Sequence, residues 1–554
     1  NGSTLKISGA GNLGGGTYSS TLTINDTSGF HYDGDNLQVF DGTVQGSGTG
    51  GILATGAGQL RMVFGNNINY SGPVTVDGGS IQFRNTADLK GFTPNNLNIE
   101  GGGALAIQSS VGGNNRTSLN NKTWNFDNGG GTLTFNNGNH LFQGFLGSFH
   151  NFNVTAAGSG SSITSINGGL MNMQGSGNIE FDIADGAEDR DLTLSATWSN
   201  GLLTKDGAGT LAITGSHGGS YAIDINAGTL EVGNSATLAG GTFSAAIAND
   251  GTYKHNSSAN QTISGVISGT GALTKDNTGT LTLTANNNFS GGTTVDGGTL
   301  QLTVDGRIGN GGLTVNNGGT FSIANDDFNS LGGAITVNEG GTLSTDSTVT
   351  GNAHNIGAIT LNGGTLTSSG NTWFQGNWIF NGDVTVGGSA LSTISGLAVG
   401  SQPSGGTFNV DDSVAGASTD LLVSADITLG SLTKTGAGTM ELTGTGSYTG
   451  DTTVSAGTLS LASTYTHTGT GDFIVNGGTL EVADGVDISS SAMTIGLGGV
   501  ISPGNSPGTA ITGNQTWNDG GAYLWEINDM AGGKGVDSGW DWLDIQGTLD
   551  INAT

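Results

Sequence analysis

Residues able to do chemistry are few in this 554-residue chain, and each has to be judged by what its neighbours permit. Gly504-Asn-Ser-Pro-Gly508 fits the Gly-x-Ser-x-Gly string, in which a serine sits on a sharp strand-to-helix turn, and would make Ser506 a nucleophile. Pro507 follows the serine and no helical pattern lies behind it, so the string reads as a plain turn. Seven histidines stand singly at 31, 140, 150, 217, 255, 354 and 467, none at metal-ligand spacing from another. They are expected to be ordinary surface or turn residues. Cysteine is absent, which removes disulfides, thiolate metal sites and cysteine nucleophiles together.

Carboxylates beside a cation could do acid/base work on a polysaccharide or hold calcium. The densest group is Asp182, Asp185, Glu188, Asp189 and Asp191 around Arg190; the pairs Asp326-Asp327 and Asp411-Asp412 are weaker. The string Gly-Gly-x-Gly-x-Asp stands once, at Gly532–Asp537, far from this group and not in tandem as calcium repeats are, so the first group is expected to be a solvated acidic loop. Lys205, Lys275 and Lys434 recur at one repeat position and invite a binding stripe. A lysine that seals a strand edge, or pairs with a neighbouring aspartate, explains them more simply. Trp373 and Trp378, in the run from Asn371 to Phe380, could form a sugar-stacking face, whereas Phe374, Ile379 and Phe380 are expected in the core. No catalytic, cofactor-binding or metal-binding residue is assigned, and no cofactor is called for.

The elements that would have to position such residues are short strands. Gly supplies 106 residues and Pro only 5, which excludes collagen and proline-rich linkers. Charged residues make up 10% of the chain, while Thr, Val, Ile and Leu recur in alternating runs such as Thr280-Leu-Thr-Leu-Thr284, so an ordered all-β chain is expected. With 13 basic against 43 acidic side chains the net charge is −30, which repels phosphate backbones and anionic membrane surfaces. Nucleic acid is therefore not an expected partner. No apolar run approaches the ~20 residues that span a bilayer, so this segment is not expected to insert directly, and the absence of an N-terminal leader suggests a mature or excised segment.

Internal repeats are the strongest signal. Three long copies begin at Gly201 (GLLTKDGAGTLAITG), Gly271 (GALTKDNTGTLTLTA) and Gly430 (GSLTKTGAGTMELTG), and in each the lysine is followed 25 residues later by a strand-opening leucine: Leu230, Leu300 and Leu459. A weaker copy starts at Gly51, without the lysine. A shorter tag ending in Gly-Thr-Leu places strand openings at Leu300, Phe321, Leu343 and Leu366, then at Leu459 and Leu480, with intervals of 21, 22, 23 and 21 residues. Such a coil holds about three strands of ordinary length, with inward apolar positions, outward Thr, Ser, Asn and Asp, and glycine at the corners. This is a β-solenoid period.

The pattern Gly-x-Leu-Thr-Lys-x-Gly-x-Gly-Thr-Leu-x-Leu-x-Gly, followed by an aromatic-Ser/Thr-Gly turn and a second Gly-Thr-Leu, resembles the autotransporter-associated β-strand repeat. It is nearly whole at 271–302 and 430–461, whereas the copy at Gly201 departs after Gly215. The resemblance implies a single right-handed parallel β-helix, Gram-negative export and an extracellular or outer-surface location. Within it, residues 1–200 are expected to form a less regular part, 201–500 the regular repeats, and 501–554 a C-terminal cap. Trp517, Trp525, Trp540 and Trp542 would close the open end of that cap. The expected function is a non-catalytic structural or adhesive rod that contacts other cells, surfaces or matrix glycans. Two alternatives stay open: a self-assembling filament or sheath subunit that binds copies of itself, and a polysaccharide-degrading β-helix enzyme.

Overall fold

The computed structural model describes residues 2–64, 68–85, 97–108, 114–116, 122–127, 131–136, 139–141, 151–156, 161–166, 170–172, 178–199, 201–219, 221–303, 305–324, 331, 333–345, 353–369, 377–396, 399–401, 406–414, 418–428, 430–504, 507–536 and 538–552. Strands of two to six residues alternate with tight turns throughout them. Among the described residues there is no α-helix, and two single 3-10 turns lie at Gly14–Gly16 and Leu238–Gly241. The chain forms two compact units, residues 1–281 with 288–290, and residues 282–287 with 291–554.

Each unit is a β-solenoid, because each strand pairs in parallel with the equivalent strand of the next coil. In the first unit one face runs from Thr4–Gly9 through Gly29–Gly34 and onward to Ile267–Ser268, and a second from Thr17–Tyr18 to Ala272–Lys275. In the second unit one face runs from Thr293–Val295 to Leu549–Ile551, and another from Gly298–Thr303 to Ala522–Tyr523. A third side carries shorter runs, such as His354–Ile356 with Trp378–Phe380 and Val399–Ser401.

Register follows the tag seen in the sequence. Leu300 lies beside Phe321, Phe321 beside Leu343, and Leu343 beside Leu366, while Leu459 lies beside Leu480. All six are fully buried. A slip by one residue would turn each of these side chains outward, so the alternation holds the register as firmly as the backbone bonds do. Outward positions between them form files of hydroxyls, as in Thr299, Thr320, Thr342, Thr365 and Thr393.

Corner glycines answer two constraints at once. Gly228 and Gly457 take left-handed φ angles of 65° and 62°. A Cβ on Gly228 would also stand 2.4 Å from the Gly209 carbonyl oxygen, and one on Gly457 2.4 Å from those of Gly436 and Gly438. The Gly-x-Gly of one coil is thus the seat for the Gly-Thr-Leu glycine of the next.

The expected aromatic closure of residues 501–554 is not observed. Trp525 is about half exposed, and Leu549 and Ile551, which pair with Gln515 and Trp517, are 50% and 64% exposed. Trp517 and Trp542 are half-buried on terminal strands without covering them. Ile379 also differs from expectation: in Trp378–Phe380 it is the outward residue, while Trp378 and Phe380 are buried.

Replacing Gly457 with alanine combines left-handed strain, about 1–2 kcal/mol, with a carbonyl collision. Amide hydrogen exchange should speed up in 432–461 while distant coils keep their protection; unchanged exchange there would contradict the corner packing described here.

Candidate functional site

The repeated lysines are neither edge seals nor a surface stripe. In Leu202–Asp206, Ala272–Lys275 and Leu432–Thr435 the lysine occupies the inward parity, and Lys205, Lys275 and Lys434 are all completely buried. Lys205 Nζ donates to the carbonyls of Asp206 (2.7 Å) and Gly207 (2.8 Å) in its own corner and to Ala227 (3.2 Å) in the next coil. Lys434 repeats this with Thr435 (2.8 Å), Gly436 (2.8 Å) and Ala456 (3.2 Å). Lys275 donates to Asp276 (2.6 Å) and Asn277 (2.7 Å).

A corner that turns tightly aims several carbonyls into the core, where water cannot serve them, and three ammonium protons satisfy that need. Lys205 and Lys434 therefore staple the turn of one coil to the turn of the next. Burial pushes all three ammonium groups down to about 8, against the opposing pull of Asp206, Asp182 and Asp191 on Lys205, Asp276 on Lys275, and Asp420 and Asp411 on Lys434. In the weaker copy Ala54 stands at this position, buried beside Tyr32, whose hydroxyl donates to the Asn36 carbonyl.

The acidic group of residues 182–191 divides into a buried anchor and an exposed arm. Asp191 is 1% exposed; its Oδ1 accepts from the Gly186 amide (2.9 Å) and its Oδ2 from the Thr210 amide (2.8 Å). Asp420 does the same with Ser413 and Val414 (both 3.1 Å) and Thr439 (2.8 Å). The acidic stretches at 182–191 and 411–420 are thus two versions of one device, a corner loop tied down by an aspartate placed 14 residues before the lysine. Asp182, Asp185, Glu188 and Asp189 remain exposed, in keeping with a solvated loop. Among the described residues no group of three or more acidic, histidine or cysteine side chains is arranged to hold a metal ion.

The arm has a second tie, which the sequence did not announce. Arg190 Nε donates to Glu231 Oε1 (3.1 Å), Nη1 to Asn234 Oδ1 (3.3 Å), and Nη2 pairs with the same Glu231 oxygen. Arg190 lies so close over Gly233 that a Cβ there would be 2.7 Å from its Nη2. Glu231, on the outward parity of Thr229–Asn234, is consequently only 4% exposed. Between the arm and the sheet lies a groove of about 740 Å³, lined by Glu188, Asp189, Arg190, Thr210, Thr229, Glu231, Lys254 and Asn256. Asn256 Nδ2 donates to Glu231 Oε1 (3.1 Å), and Lys254 pairs with Asp276 at 3.5 Å. Among the described residues this groove gathers flagged Glu188, Asp189 and Arg190 over neighbouring coils.

Other flagged residues fall elsewhere. Ser506, His150, Asp326, Asp327, Trp373 and Phe374 lie outside the described residues, as does the side chain of His140. Trp378 is a core residue whose Nε1 donates to the Thr367 carbonyl (2.9 Å), so it offers no sugar-stacking face. The histidines depart from the surface reading: His217, His255 and His354 are buried. They sit at inward or corner positions where an imidazole fills space as an aromatic does, and His217 packs 3.9 Å from the Trp198 ring. Burial holds His217 and His255 down to about 4, with the Lys275 charge adding to the effect on His255. His467 joins Tyr465 (3.2 Å) and Ser491 (2.9 Å), but that serine is buried and the trio belongs to packing between coils.

Stacked parallel coils, three of them stapled by a buried lysine, make up a β-solenoid that is similar to known passenger repeats. The passenger-associated-transport-repeat matches residues 53–83, 203–232, 273–302, 432–461 and 456–482, which include all three lysine corners and the lysine-free copy. A curated relative is similar along most of the chain: the adhesin BmaC autotransporter of Brucella suis biovar 1 (strain 1330), 28% identical over 600 aligned positions that take in 93% of this chain. The chain spans 16% of that relative's length.

Lys434→Met leaves corner carbonyls without donors and should cost about 1–3 kcal/mol at pH 8. Because the folded lysine titrates near 8 and the unfolded one near 10.5, the unfolded chain binds more protons between those values. Stability from this group therefore rises with pH, by up to about 1.4 kcal/mol per unit, and the gap to the methionine variant should widen from pH 8 to 10 in urea unfolding. A gap that narrows would contradict the downward shift of the buried lysine. Separately, Asp191→Ala should free the arm, seen as faster proteolytic cleavage within 184–190 with the neighbouring coils intact; a cleavage rate equal to wild type would remove Asp191 from that role.

Proposed function

We propose that this chain is a non-catalytic adhesive segment of a passenger displayed outside a Gram-negative bacterium, in which stacked coils hold repetitive polar faces away from the cell. The observation that supports it most is the register of the outward residues. In the second unit Thr294, Thr314, Thr336, Thr360 and Thr385 form one file, and beside it Asn316 Nδ2 donates to Asp296 (2.7 Å), Asn338 to Asn316 (2.7 Å) and Asn362 to Asn338 (3.1 Å). Such an amide ladder satisfies itself along the axis and leaves the hydroxyl file facing outward. A flat face of this kind contacts a partner through many weak, repeated interactions rather than through one residue, as multivalent attachment requires. The adhesin relative supports the same reading, and we infer a surface location for this chain, with other cells, surfaces or matrix glycans as partners.

A polysaccharide-cleaving reading, which would rest on Asp182 and Asp185, has less support, since neither of them lines the groove.

Beads coated with the 554-residue protein should adhere to cultured cells or matrix-coated glass well above beads coated with an inert protein of similar charge. Adherence at the inert level on every surface would end the adhesion reading. Electron microscopy of the same protein should show separate particles; filaments that lengthen with concentration would move the assembly reading ahead of it.

A further inference from the structure

The groove beside the 184–191 arm has the construction of a binding site, and its chemistry narrows the ligand. The arm that walls it is preset. Asp191 ties the arm to the amides of Gly186 and Thr210, and Arg190 ties it to Glu231 and Asn234 across neighbouring coils. A ligand entering it would not have to order the loop first, which removes a large part of the usual cost of binding. Its volume, about 740 Å³, lies within the range of small-molecule sites, but its lining is polar.

Thr210 and Thr229 stand in register on adjacent coils, while Asn256, one coil further on, lies opposite Gly233, four residues along the strand from that file. That floor offers hydroxyls at two successive rungs to a hydroxyl-rich chain laid along the solenoid axis, and offers little to an apolar ligand. The charges select further. Arg190 is neutralised by Glu231, and Lys254 faces Asp276. Glu188 and Asp189 have no ion-pair partner among the described residues, and both are exposed on the arm that overlooks the floor. The uncompensated charge at the mouth is therefore negative, in a chain whose net charge is −30.

We propose that this groove binds a short amino-sugar oligosaccharide through its ring hydroxyls, with a free ammonium held by Glu188 and Asp189. Uronic-acid and sulfated glycans are repelled from the same mouth. This inference names a ligand class within the adhesion reading and rests on it only for its biological purpose; the binding itself stands alone.

The test is calorimetric titration of the 554-residue protein with three probes: a β-1,4-linked glucosamine trimer, its fully N-acetylated form and a galacturonic acid trimer. The glucosamine trimer should bind, the acetylated trimer at least about tenfold more weakly, and the galacturonic acid trimer not detectably; 1.4 kcal/mol corresponds to that tenfold step. The double variant E188Q/D189N should bring the first two probes to similar affinity. Thr229→Trp, which fills the floor and leaves the Arg190 clasp untouched, should abolish binding while amide exchange of the surrounding strands stays as in wild type. Unaltered binding by Thr229→Trp overturns the site, and tightest binding of the galacturonic acid trimer overturns the charge argument. A lysine-rich peptide that displaces the glucosamine trimer and binds more tightly shows that the groove reads charge alone, and overturns the sugar. If no trimer binds while coated beads still adhere, this inference falls and the adhesion reading stands; if trimers bind and beads do not adhere, the reverse holds.

Discussion

Parallel pairing between one coil and the next is the constraint on which the rest of the molecule depends. A parallel strand cannot be closed by a hairpin, so the chain has to travel round a full coil before it meets its own partner again. Each circuit then has to bring inward residues over inward residues, as Leu300, Phe321, Leu343 and Leu366 do. The corners carry the burden of that return. They need backbone that turns without a Cβ, as at Gly228 and Gly457, and they point carbonyls where no strand can receive them.

Those carbonyls explain why a lysine sits fully buried among mostly apolar inward residues. An isolated ammonium in such a place is costly, and desolvation shows in the depressed titration of Lys205, Lys275 and Lys434. The cost is offset by charge-assisted bonds to two or more carbonyls, one of them in the following coil for Lys205 and Lys434. A neutral polar side chain has too few donors to replace it. The staple makes two neighbouring coils interdependent, which in a quasi-one-dimensional stack is where cooperativity has to come from.

Outer faces are freed from this duty, and so they can vary. In the second unit they carry threonine files and an asparagine ladder. In the first, an insertion before the Lys205 repeat folds back over the sheet, is pinned at Asp191 and Arg190, and converts a flat face into a walled groove. Its counterpart around Asp420 is pinned by the same aspartate device. A walled groove is thus added at a corner without disturbing the ladder beneath, as loops on rigid scaffolds allow.

Much of the architecture was legible in the chain. The 21- to 25-residue spacings and the period-two alternation determined the solenoid, the register and most of the core, because a coil has one way to stack its apolar parity. Local pattern also set the parity of the lysines, since Leu-Thr-Lys puts leucine and lysine on the same side. Only the tertiary structure decided what that side meant. An edge lysine and a core lysine look identical in sequence, and the carbonyls that distinguish them come from residue 227 or 456, a coil away. The buried histidines escaped notice for the same reason. Arg190 with Glu231, 41 residues apart, could be joined only by stacking, and with it the groove. Sequence determines what repeats along one coil; contacts that cross coils at the corners depend on how loops of unequal length come to rest, and no periodicity encodes that.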